Sequence, residues 1–281
     1  MSMKPSHRFA IAVDIDGMFC DVLLNDVPVI RNYTTDRINL TAPVSPFVLS
    51  GTNILVIRAA LGTSETGKSS TKATAILRAT PYDSDEWEEI FRVESRPQPQ
   101  TKQGEETAAK PLASSLGPVS PQTNDYDGAS QIMKTGRSIA LTAQTGPWRW
   151  ADSQPIRTDE ATRHSLRSWY RRVWEDVASG RPDLVAGQFS EKIEELVLAF
   201  RLSRDEIEHE IGLTRKMLRE DLRLLPVDWE GTQIETAGQG RLARLYHPRE
   251  GTLICFEGGS GLFHSFEFWL RREGEGWRVT R

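Results

Sequence analysis

The clearest alternation of apolar and polar positions in the chain begins near residue 158. Apolar side chains recur at helical spacing and form one wide stripe: Leu166, Trp169, Tyr170, Val173, Trp174 and Val177. Thr158 is a candidate N-cap, and Gly180 and Pro182 follow the stripe as stop signals. The pattern predicts an amphipathic helix between Thr158 and Gly180, and its aromatic stripe requires a cover.

Short apolar segments with glycine-rich turns between them follow this helical region. The predicted strands are 242–246, 251–257, 264–271 and 276–281. An antiparallel sheet made of these strands is the nearest element that can cover the aromatic stripe. We therefore expect Trp169, Val173 and Trp174 to pack on a curved sheet that ends in Phe266, Phe268 and Trp277.

The order of these elements resembles the NTF2-like (SnoaL-like) superfamily. The resemblance covers residues 158–281 and consists of the predicted helix, the stretch Ser-Gly-Arg-Pro-Asp at 179–183, a short helix through Phe189, and the ending Phe-Glu-Phe-Trp-Leu-Arg-Arg-Glu-Gly-Glu-Gly-Trp at 266–277. The chain departs from the family pattern in residues 190–225, which are more helical than usual. The resemblance implies a cone of helices on a curved sheet.

The mouth of such a cone can hold a polar group above an apolar floor. The candidate ligand-binding residues are Tyr246, His264, Glu267 and Trp269. The pattern leaves open which face of the sheet points inward. No catalytic residue, nucleotide-binding residue or metal ligand is predicted, because the His residues are isolated in sequence and neither Cys pairs with a His at metal spacing.

The first half of the chain reads as successive short strands. Phe9, Ile11, Val13 and Ile15 alternate with small and acidic residues, and Asn25-Asp26 is a favoured hairpin turn. Further strands are predicted at 38–40, 54–58, 72–80, 89–94 and 137–143. This succession predicts an antiparallel β-sandwich. Residues 25–58 weakly resemble galactose-binding-like β-sandwich modules, and no sugar-contacting residue can be transferred from them.

A polar segment interrupts this half of the chain. Residues 97–134 are rich in Pro, Gln, Ser, Thr and Gly, so they are predicted to be a disordered or extended insertion. The predicted domains are a β-sandwich over residues 1–152 and an NTF2-like α+β domain over residues 153–281. The predicted fold class is therefore α+β.

Composition and charge disfavour only a few classes of function. The 281 residues carry a net charge of −4, so no global basic field favours nucleic acid or an anionic membrane. The two cysteines, Cys20 and Cys255, are far apart, which favours a reducing compartment. No apolar run approaches the length of a membrane span. The sequence predicts a cytoplasmic protein with no cofactor and with a protein or small molecule as its partner.

Two short motifs suggest chemistry that their surroundings do not favour. Residues 62–69, Gly-Thr-Ser-Glu-Thr-Gly-Lys-Ser, match the phosphate-binding P-loop pattern. A helix should begin at Lys68, whereas the following residues alternate and predict a strand. Asp14 and Asp16 resemble the opening motif of haloacid-dehalogenase-like phosphatases, but Met18 stands where threonine is usual. Both motifs are interpreted as surface features of a β-sandwich.

Residues 203–224 resemble a bacterial helix-turn-helix. Ser203 and Glu206 form a capping box. The residues that would face the DNA are Thr214, Arg215, Lys216 and Arg219. Glu208 departs from the small residue usual at the helix crossing. The alternative is one long or kinked helix that extends to Leu225. Nucleic acid is therefore not the expected partner.

The expected function is that of a non-catalytic binding or accessory protein that recognises a protein or small ligand through its C-terminal domain. A DNA-binding regulator that uses residues 203–224 is one alternative. A small-molecule enzyme with its site in the C-terminal cone is another, because fold alone does not decide function.

Overall fold

The chain forms two compact units, Met1–Pro147 and Trp148–Arg281. The computed structural model describes residues 4–60, 71–96, 113–127, 130, 132–212, 219, 221–249, 251–259 and 261–281. The first unit is built from antiparallel strands and the second contains helices and antiparallel sheets, so the predicted α+β fold class is confirmed. The division falls at residue 147, near the predicted boundary at residue 152.

The N-terminal unit is a sandwich of two sheets. Its strands in chain order are β1 (His7–Asp16), β2 (Cys20–Leu24), β3 (Val27–Asn32), β4 (Ile38–Pro43), β5 (Gly51–Ala60), β6 (Lys72–Pro81), β7 (Glu88–Ser95), β8 (Ala113–Ser114), β9 (Gly117–Pro118), β10 (Thr123–Asp127) and β11 (Ile132–Leu141). One sheet of the sandwich has the order β4-β1-β6-β7 and the other has the order β10-β11-β5-β2-β3, and β8 and β9 form a separate two-stranded sheet. A turn of 3-10 helix at Ser45–Phe47 follows β4.

Alternation along each strand builds the core between the two sheets. Phe9, Ile11, Val13 and Ile15 of β1 are all buried, as their spacing predicts. They belong to one apolar cluster with inward residues of the second sheet such as Ile57. The sandwich is therefore held by a single hydrophobic core, which is the dominant favourable term in its folding.

The turn between β2 and β3 has the predicted geometry. Asn25 and Asp26 have φ values of 53° and 66°. Positive φ at both central residues characterises the type I′ turn, whose twist matches that of the flanking strands. The sequence signal for this hairpin is confirmed.

Asn53 fastens the loop that precedes β5. Its side chain is fully buried, and its Oδ1 accepts hydrogen bonds from the Leu49 N–H (2.7 Å) and from Asn25 Nδ2 (2.8 Å). Its Nδ2 donates to the carbonyl oxygens of Leu49 (2.7 Å) and Gly51 (3.1 Å). The amide is satisfied on every side, so it ties the 49–51 loop to the β2–β3 turn.

Replacing Asn53 with alanine is expected to lower the free energy of unfolding of the N-terminal unit by about 2–3 kcal/mol, because the part-buried N–H and carbonyl of Leu49 and the buried amide of Asn25 lose a partner. Thermal unfolding of the full chain measures the change. Asn39→Ala on β4 is the control, because the Asn39 side chain is exposed. Equal losses in the two variants would contradict the fastening role of Asn53.

The predicted insertion 97–134 is only partly described. Residues 97–112 lie outside the described residues. From residue 113 onward the chain forms strands rather than an unpaired loop, since β10 pairs with β11 and Val119 bridges to Ile139. The polar composition did not reveal these strands. An edge strand is held by backbone hydrogen bonds and needs little apolar burial, and every residue of β10 is exposed.

The C-terminal unit combines helices with two antiparallel sheets. Its helices are α1 (Glu160–Ala178), α2 (Pro182–Gln188), α3 (Ser190–Phe200) and α4 (Arg204–Ile211), after a 3-10 turn at Arg149–Asp152. Its strands are β12 (Leu222–Leu224), β13 (Gln233–Ala237), β14 (Leu242–His247), β15 (Gly251–Thr252), β16 (Ile254–Gly258), β17 (Phe263–Phe266), β18 (Leu270–Glu273) and β19 (Gly276–Val279). One sheet has the order β12-β16-β17 and the other has the order β13-β14-β18-β19, with β15 beside β14.

The aromatic stripe of α1 is the core of this unit. Leu166, Trp169, Tyr170, Val173 and Val177 are buried in one cluster with Phe268 and Trp277, while Trp174 is half-buried. The ring centroids of Trp169 and Phe268 lie 6.4 Å apart in an edge-to-face arrangement. The predicted packing of the stripe on the sheet is confirmed. The N-cap is Asp159, one residue after the predicted Thr158, and it accepts a hydrogen bond from the Thr162 N–H.

The predicted strand 264–271 is wrong, because it divides between the two sheets. β17 pairs with β16, and β18 pairs with β14 and β19. Between them, the Trp269 N–H donates to the Arg281 carbonyl at 2.7 Å, and the Trp269 carbonyl accepts from the Thr280 N–H at 3.0 Å. Because Trp269 pairs with the end of the chain, the predicted strand is interrupted there. Two separate sheets therefore replace the single curved sheet that was predicted.

Residues 203–224 do not form one long helix. α4 begins at the predicted capping box of Ser203 and Glu206 and ends at Gly212, whose φ of 66° terminates it. The chain then reaches strand β12, which pairs with β16, so the interpretation as a helix to Leu225 is wrong. The predicted recognition residues 214–216 lie outside the described residues.

Candidate functional site

Three of the four predicted ligand-binding residues surround one buried arginine. Strand β14 presents Arg244 and Tyr246 on the face opposite Ala243 and Leu245, which pack in the core. The guanidinium of Arg244 donates through Nε to Glu235 Oε2 (2.7 Å) and pairs through Nη1 with Glu267 Oε2 (2.6 Å). We call Arg244, Glu235, Glu267, Tyr246 and Trp269 the Arg244 cluster.

Two aromatic rings flank the same guanidinium. Its central carbon lies 5.1 Å from the Trp269 ring centroid and 5.6 Å from the Tyr246 ring centroid. Cation–π attraction is strongest where water is excluded, and both Arg244 and Trp269 are buried. The Tyr246 hydroxyl lies 3.2 Å from Gln233 Oε1. The cluster is therefore a rigid patch on the β13–β14 ladder.

His264, the fourth predicted residue, lies elsewhere. It is on β17 opposite Phe256, in the other sheet of the unit. The sequence analysis missed Arg244 and Glu235, which organise the cluster. The sequence signal that could have located the cluster was Arg244, a charged residue in a largely apolar predicted strand. An arginine in such a strand is seldom buried unless it is paired. Its partner Glu235 was missed because β13 was not predicted as a strand, although the two residues are only 9 positions apart in one hairpin.

The chemistry of the Arg244 cluster is that of paired charges. The guanidinium is directed at two carboxylates, so a proton-transfer role for Glu235 or Glu267 requires breaking an ion pair. Among the described residues, no group of three His, Cys, Asp or Glu side chains is placed to hold a metal ion. Burial raises the pKa of the Cys20 thiol to about 12, which disfavours the reactive thiolate.

A second feature of the unit is an apolar hairpin tip. Leu262 and Phe263 are neighbours in sequence and are 63% and 62% exposed. The loop before them is tight, because the Gly261 N–H donates to the Gly258 carbonyl and the Gly258 N–H donates to the Leu262 carbonyl, both at 2.9 Å. Gly261 has a φ of 72°, which other residues rarely adopt. We call Leu262 and Phe263 the apolar tip.

The other motifs of the sequence are engaged in ion pairs or lie outside the described residues. Asp14 pairs with Arg37 (3.0 Å) and with Lys72 (3.2 Å), and the Arg37 hydrogen bond holds the pKa of this carboxyl below its usual range. Arg219 donates to Asp221 at 2.8 Å. The P-loop-like residues 62–69 lie outside the described residues, and Lys72–Pro81 after them is the predicted strand.

None of the helices in the described part of the chain is long and apolar enough to cross a membrane. No protein-family model matches the chain, and neither the curated proteins nor the solved structures contain a match to it.

Proposed function

We propose that the protein is a non-catalytic binding protein that captures a partner protein through the apolar tip of its C-terminal unit. The observation that carries this proposal is the exposure of Leu262 and Phe263 side by side. Single exposed apolar side chains are common on protein surfaces, whereas contiguous ones mark interaction sites. Aromatic side chains are also enriched at the centres of protein interfaces.

Backbone hydrogen bonds already hold the hairpin that carries the apolar tip. β16 and β17 are paired from Ile254 and Phe266 up to Glu257 and Phe263, so the hairpin is hydrogen-bonded to its end. A loop that is already ordered loses little conformational entropy when it binds, and this increases the affinity that a small contact can give. The tip therefore suits insertion into an apolar groove on a partner protein.

The Arg244 cluster supports this proposal less directly. A small ligand that bound its carboxylates would compete with the ion pairs of a buried guanidinium, and leaving that charge unpaired is costly. The same argument disfavours an enzyme that uses Glu267 as a base. The cluster is better suited to stiffening the sheet than to exchanging ligands.

Substituting Phe263 tests the proposal. A photo-crosslinking amino acid at position 263, introduced in the cells that naturally express the protein, should yield a cross-linked partner that mass spectrometry identifies. Phe263→Ser should then weaken binding of the purified partner by roughly thirty-fold or more, since truncating an anchor residue costs about 2 kcal/mol or more. The melting temperature should stay unchanged, because the side chain is exposed.

Tyr33→Ser is the matched control, since Tyr33 is an aromatic residue of the N-terminal unit with 67% exposure. Its affinity for the same partner should equal that of the unmodified chain. The proposal would be refuted if no partner is cross-linked specifically at position 263. It would also be refuted if the Phe263→Ser chain binds the partner as tightly as the unmodified chain does.

A further inference from the structure

Strand β10 forms one edge of the five-stranded sheet of the N-terminal unit. It is the first strand in the order β10-β11-β5-β2-β3, and all five of its residues are exposed. It pairs with β11 in an unbroken register from Thr123 to Asp127. The outer side of an edge strand carries backbone N–H and C=O groups that its own sheet does not use. Such an edge can pair with a strand of another molecule.

Two other edges of the sandwich are protected against such pairing. β3, at the opposite end of the same sheet, contains Pro28, which has no N–H, and its register with β2 shifts between Val22 and Leu23. β7 is an edge of the other sheet, and there the Gln122 amide occupies the backbone of Glu94. Gln122 Oε1 accepts from the Glu94 N–H at 3.1 Å, and its Nε2 donates to the Glu94 carbonyl at 3.0 Å. β10 has neither a proline nor a shift in register.

A row of charged side chains crosses the outer face of the sheet and ends at β10. The directly opposed residues of this row, from β10 to β3, are Asp125, Lys134, Arg58, Asp21 and Arg31. Arg58 donates through Nε to Asp21 Oδ2 at 3.2 Å. Opposed side chains of opposite charge stabilise a sheet, and opposed like charges destabilise it. The row therefore ends at the edge with a carboxylate, opposite which a cation is favoured.

The two faces of β10 prefer different side chains in an added strand. Asp125 and Asp127 lie on one face, because residues two apart in a strand share a face. Tyr126 lies on the other face and is 43% exposed, and a β-branched side chain opposite its ring would pack on it. A second copy of β10 would instead oppose carboxylates to carboxylates. The edge therefore favours a strand in which basic and β-branched residues alternate.

We propose that β10 is a docking edge for an extended basic segment of a partner chain. The backbone of this segment pairs with β10 as a sixth strand of the sheet. Its basic side chains lie against Asp125 and Asp127, and the β-branched side chains between them lie against Tyr126. Main-chain hydrogen bonds give affinity in this mode of recognition, and the alternate side chains give specificity. This edge belongs to the N-terminal unit and acts independently of the apolar tip.

Synthetic peptides test the proposal on the full chain by fluorescence anisotropy. The basic peptide is Thr-Lys-Val-Lys-Val-Lys-Thr with blocked ends, and the acidic peptide has glutamate in place of each lysine. The basic peptide should bind with a Kd below about 1 mM and about ten times more tightly than the acidic one. Asp125→Lys should weaken binding of the basic peptide about five-fold and strengthen binding of the acidic peptide, because the opposed charges change sign.

A third peptide separates strand pairing from simple charge attraction. Methylation of every backbone nitrogen of the basic peptide removes its N–H donors but keeps its side chains, and should weaken binding to the unmodified chain at least ten-fold. Asp36→Lys is the matched control, because Asp36 is an exposed carboxylate between β3 and β4. It should leave the affinity for the basic and acidic peptides unchanged.

Three results would overturn the proposal. The first is a basic peptide that does not bind below about 1 mM. The second is equal binding of the methylated and unmethylated peptides, which would show charge attraction without strand pairing. The third is an Asp36→Lys chain that loses as much affinity as Asp125→Lys does. The first two measurements use the unmodified chain, so they do not depend on the folding of a variant.

Discussion

Trp169→Ala is expected to lower the free energy of unfolding of the C-terminal unit by about 3–5 kcal/mol. The Trp169 side chain is only 3% exposed and contacts Tyr170 and Phe268 edge to face. Its removal loses the transfer energy of a large side chain and leaves a cavity that α1 and the sheet cannot fill. Such a loss is a large fraction of the stability of a typical domain.

Hydrogen exchange along a urea series measures this loss in the full chain, because peptides from β14 and β18 report on the C-terminal unit alone. The control is Trp87→Ala in the N-terminal unit, where the ring is 43% exposed and lies over Arg8. The control should cost less than about 1 kcal/mol. If Trp169→Ala proves as mild as Trp87→Ala, the stripe of α1 is not the core of the unit.

Glu195→Ala is expected to cost a similar amount, about 3–5 kcal/mol, because it leaves the buried guanidinium of Arg281 without its carboxylate. The substitution also removes the acceptor of the Arg149 N–H. Burial lowers the pKa of Arg281 even with Glu195 beside it, so desolvation disfavours this charge. The same urea series monitors the unfolding of the unit.

Glu194→Ala is the matched control for this second substitution. Glu194 is the preceding residue of α3 and pairs with Arg149 at 2.9 Å, but both side chains are about half exposed. Exposed pairs contribute about 0–1 kcal/mol. The double variant Glu195→Leu with Arg281→Met should regain most of the loss, because two apolar side chains remove the unpaired charge. A Glu195→Ala chain as stable as Glu194→Ala would contradict this account.

Local patterns predicted those parts of the fold that local physics decides. The aromatic stripe of α1, the capping box at Ser203 and the Asn25-Asp26 turn are each determined by residues within one or two turns of each other. Strand β1 likewise follows from its alternation. These elements required no knowledge of what packs against them.

The failures concern contacts between different elements. The break at Trp269 depends on backbone pairing with Arg281, and the burial of Arg244 depends on Glu235 and Glu267 from other elements. The candidate site was therefore located only in part. Tyr246, Glu267 and Trp269 were predicted, but the arginine that joins them was not. Periodicity reports which face is apolar and carries no information on which charges meet across it.

The dominance of arginine in the ion pairs of the C-terminal unit has a consequence in alkaline solution. After residue 147 the sequence holds only two lysines, Lys192 and Lys216. Hydrogen bonds to Glu191 and Glu273 raise the pKa of Arg271 above its usual range, so its ion pairs persist at a pH at which lysine-based pairs are lost. Reagents that consume amines also leave these pairs intact. The buried ion pair that joins α3 to β18 is therefore expected to survive treatments that neutralise or modify lysine.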